Sequence, residues 1–380
     1  METISQEITL EPAADPLAAT GDLSPRHFIE VLRRAHPAEA RLGLAFDQCQ
    51  IDVFCTDQAL RDELASYFEP FVSHSRQRPD IVITVHEAVV ELPVPFTVKQ
   101  PDPGKSKIKE EFYDHDGGRI VRKRLTGMHF IFDHDQHLAI GPCQANPNQV
   151  VNFINNRFIA WQLDRGCLLG HAAAVHLHGR GLALAGFSGM GKSTLALHLM
   201  SRGMGFVSND RLLVEAGRQG CWMSGVAKLP RVNPGTVLNN PDLHGVIPAA
   251  QCFRFAGLSP EELWDLEHKF DVDIDACFGP GKFCLSSPLH GLAILNWQRD
   301  DSPLRCREVK LRERPELLAA FRKSSGLFYL GKGDEEFRFA PERYLDLLER
   351  ITVMELSGGA NFELAADHCH TFLRHGIIPG

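Results

Sequence analysis

The chain has 380 residues, 44% of them hydrophobic and 23% charged, with a formal net charge of −8 at pH 7. That length exceeds one small core and suggests two domains, and the balance is that of an ordinary globular protein rather than a disordered one. The acidic excess argues against a general nucleic-acid or membrane-surface binder, and no apolar run approaches the ~18 residues of a membrane span.

Taken in chain order, residues 1–25 are acidic and proline-bearing and read as a loose arm without the basic and apolar stretches of a secretion signal. Residues 25–35 have helical spacing behind Ser24, a good N-cap. Strand-like segments follow at 41–47 and 50–55, Thr56 opens a predicted helix through residue 71, and 79–87 alternate as a strand. Residues 93–107 are rich in proline and glycine and predict a loop. Between 110 and 133 two strands flank Asp114-His115-Asp116-Gly117-Gly118, a hairpin signal, and Arg122-Lys123-Arg124 reads as an exposed strand face. Residues 26–147 are therefore expected to form a small α+β domain of mainly antiparallel strands. Residues 148–166 read as a helix with Val151, Ile154, Phe158, Ile159 and Trp161 spaced for burial, and open a second domain over 148–380.

Within that domain, strands at 172–177 and 180–185 are separated by His178-Gly179, and the second runs straight into Gly186-Phe-Ser188-Gly189-Met190-Gly191-Lys192-Ser193-Thr194. This is a complete G-x-x-x-x-G-K-[ST] phosphate-binding loop (P-loop, Walker A). Its glycines let backbone N–H groups turn onto a phosphate, Lys192 supplies a mobile positive charge, and the Ser193 hydroxyl suits Mg²⁺. Residues 193–202 read as the following helix, whose N-terminus favours anions. A hairpin feeding such a loop departs from the usual parallel βαβ entry. A nucleoside triphosphate is the expected ligand.

Further on, Glu267, Lys269, Asp271, Asp273 and Asp275 alternate and predict a strand with one charged face, turned to water or offering Mg²⁺ a second ligand. A strand at 289–297 and helices at 315–324 and 341–353 complete the pattern. Ten cysteines are scattered without a C-x-x-C pair, so neither a zinc framework nor a thioredoxin-like site is readable, and free thiols in a reducing cytoplasm are expected. His368-Cys369-His370 makes a poor metal site, because neighbouring helical residues point different ways.

The stretch from His171 through the loop to Arg202-Gly203 and Phe206-Val-Ser-Asn209-Asp210, about 40 residues, resembles the catalytic core of the HPr kinase/phosphorylase family. The longer pattern NQVVNFINNR…GVAKLPRVNPGT resembles the branch called HPr kinase-related kinase B. The resemblance implies an α/β protein with a P-loop kinase core of mixed sheet flanked by helices, like phosphoenolpyruvate carboxykinase, and an ATP- and Mg²⁺-dependent phosphotransfer. It implies that His171 and Lys192 serve the active site and that Ser193 ligates Mg²⁺. Asp210, also a candidate metal ligand, would take the proton of the attacking hydroxyl. Family members often form oligomers. Two departures bear on the acceptor. Asn209 replaces the first carboxylate of the family's acidic pair, and Lys228 and Arg231 stand where a second metal-binding glutamate is expected, suiting an anionic group better than Mg²⁺.

The bland alternatives are a capping role for Asp210, a satisfied core position for His171, and solvated charges at Lys228 and Arg231. His176 and His178 share a strand face, His178 next to the turn. The leading function is an ATP-dependent kinase acting on a protein serine or small-molecule hydroxyl. A nucleotide-gated binding module without phosphotransfer, or a nucleotide hydrolase driving a switch, are the alternatives. The absence of N-K-x-D weakens a GTPase, and a carboxykinase rests on fold analogy alone.

Overall fold

In the computed structural model the described residues are 23–101, 106–217, 220–259, 262, 263, 266, 268–333 and 335–379. The expected arm, apart from Leu23, Ser24 and Pro25, lies outside them, as does Glu267. The architecture is α/β with mixed sheets, as the sequence predicts. No helix among the described residues is long and apolar enough to cross a membrane.

The first sheet has eight strands: β1 (Ala40–Phe46), β2 (Cys49–Cys55), β3 (Ile81–Glu87), β4 (Thr97–Val98), β5 (Glu110–His115), β6 (Gly118–Lys123), β7 (His129–Phe132) and β8 (His137–Gly141). Their order is β1-β2-β3-β8-β7-β6-β5-β4. Helix α1 (Pro25–Ala35) starts where expected because the Ser24 hydroxyl accepts from the His27 N–H, and it buries Phe28, Ile29 and Leu32. Asp116 and Gly117 both take positive φ and make the expected hairpin between β5 and β6. Strand β3 pairs with β8 in parallel. Helix α2 (Gln58–Tyr67) begins after Asp57, whose carboxylate accepts from Leu60 N–H, so Asp57 rather than Thr56 caps it.

The second sheet contains β9 (Leu168–Gly170), β10 (Ala172–Leu177), β11 (Arg180–Gly186), β12 (Gly205–Ser208), β13 (Leu212–Gly217) and β14 (Gly220–Ser224). After the small ladder of β15 (Arg231–Val232) with β16 (Phe270–Asp271) come β17 (Ser286–Gln298), β18 (Arg305–Glu308) and β19 (Thr352–Gly359). The order is β12-β10-β11-β17-β14-β13-β9, with β19 beside β17 and β18 beside β19. Strand β10 is antiparallel to both β11 and β12, and β11, β17 and β19 run parallel.

Helix α3 (Pro147–Asp164) and helix α4 (Lys192–Met200) match the periodic segments of the sequence. Period-two alternation divides the alanine-rich strands between two cores. Ala173, Val175, Leu182 and Leu184 pack under α4 and the C-terminal helix Phe362–His375 with Leu195, Leu199, Cys369 and Phe372. Ala172, Ala174, Ala183 and Ala185 face Phe321, Tyr344 and Leu348 on the other side. Gly291 admits the Phe372 ring, where a Cβ would lie 2.5 Å from it.

By packing, the chain divides into two compact units. One runs to Leu42 and includes Asp52–Leu64 and Val82–Val150; the other includes Gly43–Ile51, Ala65–Ile81 and the chain from Val151 onward.

Three expectations change in the second unit. The segment expected as a charged strand over 267–275 is β16 followed by a short helix, Ile274–Phe278, because the Asp273 carboxylate caps it at Ala276 N–H. The predicted helix over 315–324 is a 3₁₀ turn, Pro315–Ala320, since Arg322 bridges to Gly170 instead. The helix from Pro341 ends at Leu348, and residues read as its end enter β19, where Val353 pairs with Leu292.

Gly225 is the tightest of these contacts: its Cβ would lie 1.9 Å from the Val207 carbonyl oxygen in β12. Backbone there has no room to yield, so Gly225→Ala should cost about 1–3 kcal/mol and lower the melting temperature by a few degrees in scanning calorimetry. An unchanged melting temperature would show that β12 is not pinned at this point.

Candidate functional site

Strand β11 ends at Gly186, α4 begins at Lys192, and the glycine loop lies between. Gly189 and Gly191 have φ of 82° and 84°, a conformation glycine adopts without strain. Gly191 is also closed to any side chain, since a Cβ would meet the Phe362 ring at 2.4 Å. Trp297 Nε1 donates to the Met190 carbonyl at 3.1 Å and packs edge-on against Phe362, so two aromatic residues brace the loop from beneath. Phe187, Ser188 and Gly189 are exposed above it. Lys192 is 9% exposed and donates from Nζ to the carbonyl oxygens of Gly186 (2.7 Å) and Phe187 (3.3 Å). Burial pushes its ammonium down to about 8, against a smaller opposing pull from Asp210. Ser193 follows on the first turn of α4, and the Thr194 hydroxyl is 2.9 Å from that of Thr236.

The strand order brings three distant pieces of sequence to this end of the sheet. His171 precedes β10, the loop follows β11, and Asp210 follows β12. His171 Nδ1 lies 3.1 Å from Asp210 Oδ1 and 3.0 Å from Lys323 Nζ. Nδ1 serves one of them at a time: protonated it donates to Asp210, bare it accepts from Lys323. Lys323 Nζ and Arg211 Nε also approach Asp210 Oδ2, at 3.7 and 3.8 Å. Burial acts to raise the Asp210 pKa, but the hydrogen bond from His171 and the charges of Lys323 and Arg211 outweigh it. They hold the carboxyl well below the usual carboxylate range, so Asp210 is an anion.

Lys323 was missed by sequence reasoning, and nothing local could have found it. It is delivered by tertiary pairing: Phe321 O accepts from His171 N–H, Lys323 N–H donates to Leu169 O, and the Phe321 ring lies against Gly170.

The remaining candidates separate. Lys228 Nζ donates to Asn152 Oδ1 at 2.7 Å, its pKa lowered by burial and partly restored by Asp210. Arg231 instead pairs with Asp271 at 3.1 Å, half exposed on the β15–β16 ladder. Asn209 Oδ1 is buried with no hydrogen-bond partner among the described residues. His176 packs its Nε2 over Gly205, His178 turns the β10–β11 corner at φ 48°, and Cys369 is buried in the core. Neither histidine is among the groups around Asp210.

Chemically, the loop offers backbone N–H groups and an ammonium to an anion, and the neighbouring carboxylate can accept from a hydroxyl. Hard oxygen donors at Ser193 and Asp210, with the orphaned Asn209 oxygen alongside, fit Mg²⁺ better than a softer metal.

No family model matches the chain. Among curated proteins, the HPr kinase/phosphorylase of Chlorobium phaeovibrioides (strain DSM 265 / 1930) is 36% identical over 67 residues. The resemblance is to the HPr kinase family. The chain spans 18% of the length of that relative, and the match covers 18% of this chain. Among solved structures, the HPr(Ser) kinase/phosphatase from Coxiella burnetii overlaps 55% of this chain and 93% of its own, at 13% identity and a TM-score of 0.29. That overlap is too low to define the fold, which the strand order defines by itself.

The buried ammonium makes a test of the site possible without ligand. Lysine in the unfolded chain keeps its ordinary pKa of 10.5, so between about 8 and 10.5 the unfolded state binds more protons and stability rises with pH. Below 8 the whole cost of burying the charge is present. Lys192→Met should therefore be the more stable protein at pH 7, by up to about 3 kcal/mol, with the advantage shrinking toward pH 10. Urea melts at the two pH values check this; a constant difference would mean that Lys192 is not charged and buried.

Proposed function

We propose that the chain is an ATP-dependent kinase that transfers the γ-phosphate to a hydroxyl acceptor. The observation that carries this reading is the ionised Asp210, held by His171, Lys323 and Arg211 within electrostatic reach of Lys192 at the end of the glycine loop. In this reading the loop N–H groups bind the β-phosphate, and Lys192 exchanges its two carbonyl contacts for β/γ oxygens. Ser193 and Asp210 would hold Mg²⁺, which when bound neutralises the phosphate oxygens.

The acceptor hydroxyl donates to Asp210, its oxygen bonds to the γ-phosphorus, the bond to the ADP oxygen breaks, and the proton is left on the Asp210 carboxylate. A carboxylate stabilised this strongly is a weak base. It suits phosphoryl transfer, where the transition state is loose and the nucleophile needs orientation more than early deprotonation. The partners implied are ATP and a phosphoacceptor.

Asn209 in place of a carboxylate favours one second reading, a nucleotide-gated binding module without transfer. Incubation with γ-labelled ATP, Mg²⁺ and cell extract separates the two. A labelled acceptor should appear, be lost in Lys192→Ala together with nucleotide binding, and fall about 10²-fold or more in Asp210→Asn with nucleotide binding retained. Label found only in free phosphate would sink the kinase reading. Partner capture that survives Asp210→Asn but not Lys192→Ala would establish the second.

A further inference from the structure

Helix α3 presents three asparagines toward this site from successive turns. Asn152 Oδ1 accepts from Lys228 Nζ at 2.7 Å, and Asn156 Oδ1 accepts from Arg211 Nη1 at 3.4 Å. Between them Asn155 Nδ2 donates to the Ala227 carbonyl at 2.9 Å and fixes the backbone beside Lys228. Residues four apart on a helix share a face, so one face orients both cations.

The chemistry of the acceptors matters. An amide oxygen positions a cation as a carboxylate would, but leaves its charge uncancelled. Among the described residues no carboxylate pairs with Lys228, and Arg211 has only its 3.8 Å approach to Asp210. A partly buried ammonium with no carboxylate in direct contact is costly, and a bound anion lowers that cost. Nor are these cations spent on the loop: the charges felt at Lys192 are those of Asp210, Lys323 and Lys269, whereas Lys228 feels Asp210 and Asp271 along with Arg211 and Arg231. Arg231 is excluded by its pairing with Asp271.

We propose that Lys228 and Arg211, held by Asn152 and Asn156, form an anion subsite beside Asp210, and that the acceptor is a small hydroxyl compound bearing its own phosphate or carboxylate. The assignment of acceptor rests on the kinase reading; the anion subsite does not. The anionic group docks on Lys228 and Arg211 and thereby turns the neighbouring hydroxyl toward Asp210.

Calorimetric titration of the full chain, saturated with Mg²⁺ and a non-hydrolysable ATP analogue, tests this with glycerol 3-phosphate, glycerate and glycerol. At least one anionic probe should bind and glycerol should not. Lys228→Met and Asn152→Asp should each weaken the bound probe about tenfold or more, the second by supplying the missing counter-charge. Affinity for the analogue should be unchanged in Asn152→Asp, which reports an intact fold. Binding of neither anion, equal binding of glycerol, or unchanged probe affinity in Asn152→Asp would overturn the subsite. Should the analogue itself fail to bind native protein, the kinase reading fails, and titration of the probes alone still decides the subsite.

Discussion

The site depends on one strand running against its neighbours. Because β10 is antiparallel to both β11 and β12, the start of β10 and the ends of the other two lie at a single edge of the sheet. The register makes this concrete, with Ala172 opposite Ala185 and Ala174 opposite Ser208. His171, the glycine loop and Asp210 are thereby forced together although 39 positions separate the first from the last. A parallel entry strand would have put its N-terminus at the opposite edge. The hairpin is therefore what allows a histidine preceding the loop in sequence to touch a carboxylate following it.

The same edge concentrates positive charge at a cost the fold has to meet. Lys192 is buried against carbonyl oxygens, Lys228 is half-buried against an amide, and Lys323 and Arg211 both approach Asp210. Stability comes from elsewhere. Leu199 of α4 is buried with Phe372, Met354 and Leu356 in the core beneath that helix, and each contributes on the order of 1.5–3 kcal/mol by burial. Phe362 and Trp297 extend that packing directly under the loop, so its shape is set by aromatic contacts rather than by a ligand.

What could be read in the sequence follows from how local each constraint is. The loop is legible because Gly189 and Gly191 need positive φ and Lys192 must follow them, demands expressed within nine residues. His171 and Asp210 are legible only through spacing shared with a family, since neither residue type alone signals more than a core histidine or a cap. Lys323 carries no local signal at all, and the asparagines of α3 are visible only inside a longer pattern shared with a family branch, which does not reveal what they hold. Their roles arise from pairing of residues 321–323 with 169–171 and from a helix face packed beside Lys228. The segment after Glu267 failed for a different reason: its alternation was genuine, but Asp273 found a capping bond, and capping outcompeted a strand with no partner beyond β15. In the first unit α1 and the β5–β6 hairpin were readable from capping and turn chemistry, whereas β8, a short run buried throughout, had no alternation to reveal it.

Asn209 fits the same electrostatic pattern. A second carboxylate next to Asp210 would stand beside Arg211 and compete with Asp210 for the cations that now surround it. With an amide there instead, Lys323, Arg211 and His171 all approach the Asp210 carboxylate, while Lys228 contacts a neutral oxygen. Asn152, Asn156 and Asn209 thus make one substitution in kind, neutral oxygen where ionised oxygen would have absorbed positive charge. In the proposed reading this edge carries excess positive charge, and two sets of cations, one at the loop and one along α3, give it room for more than a single anionic group.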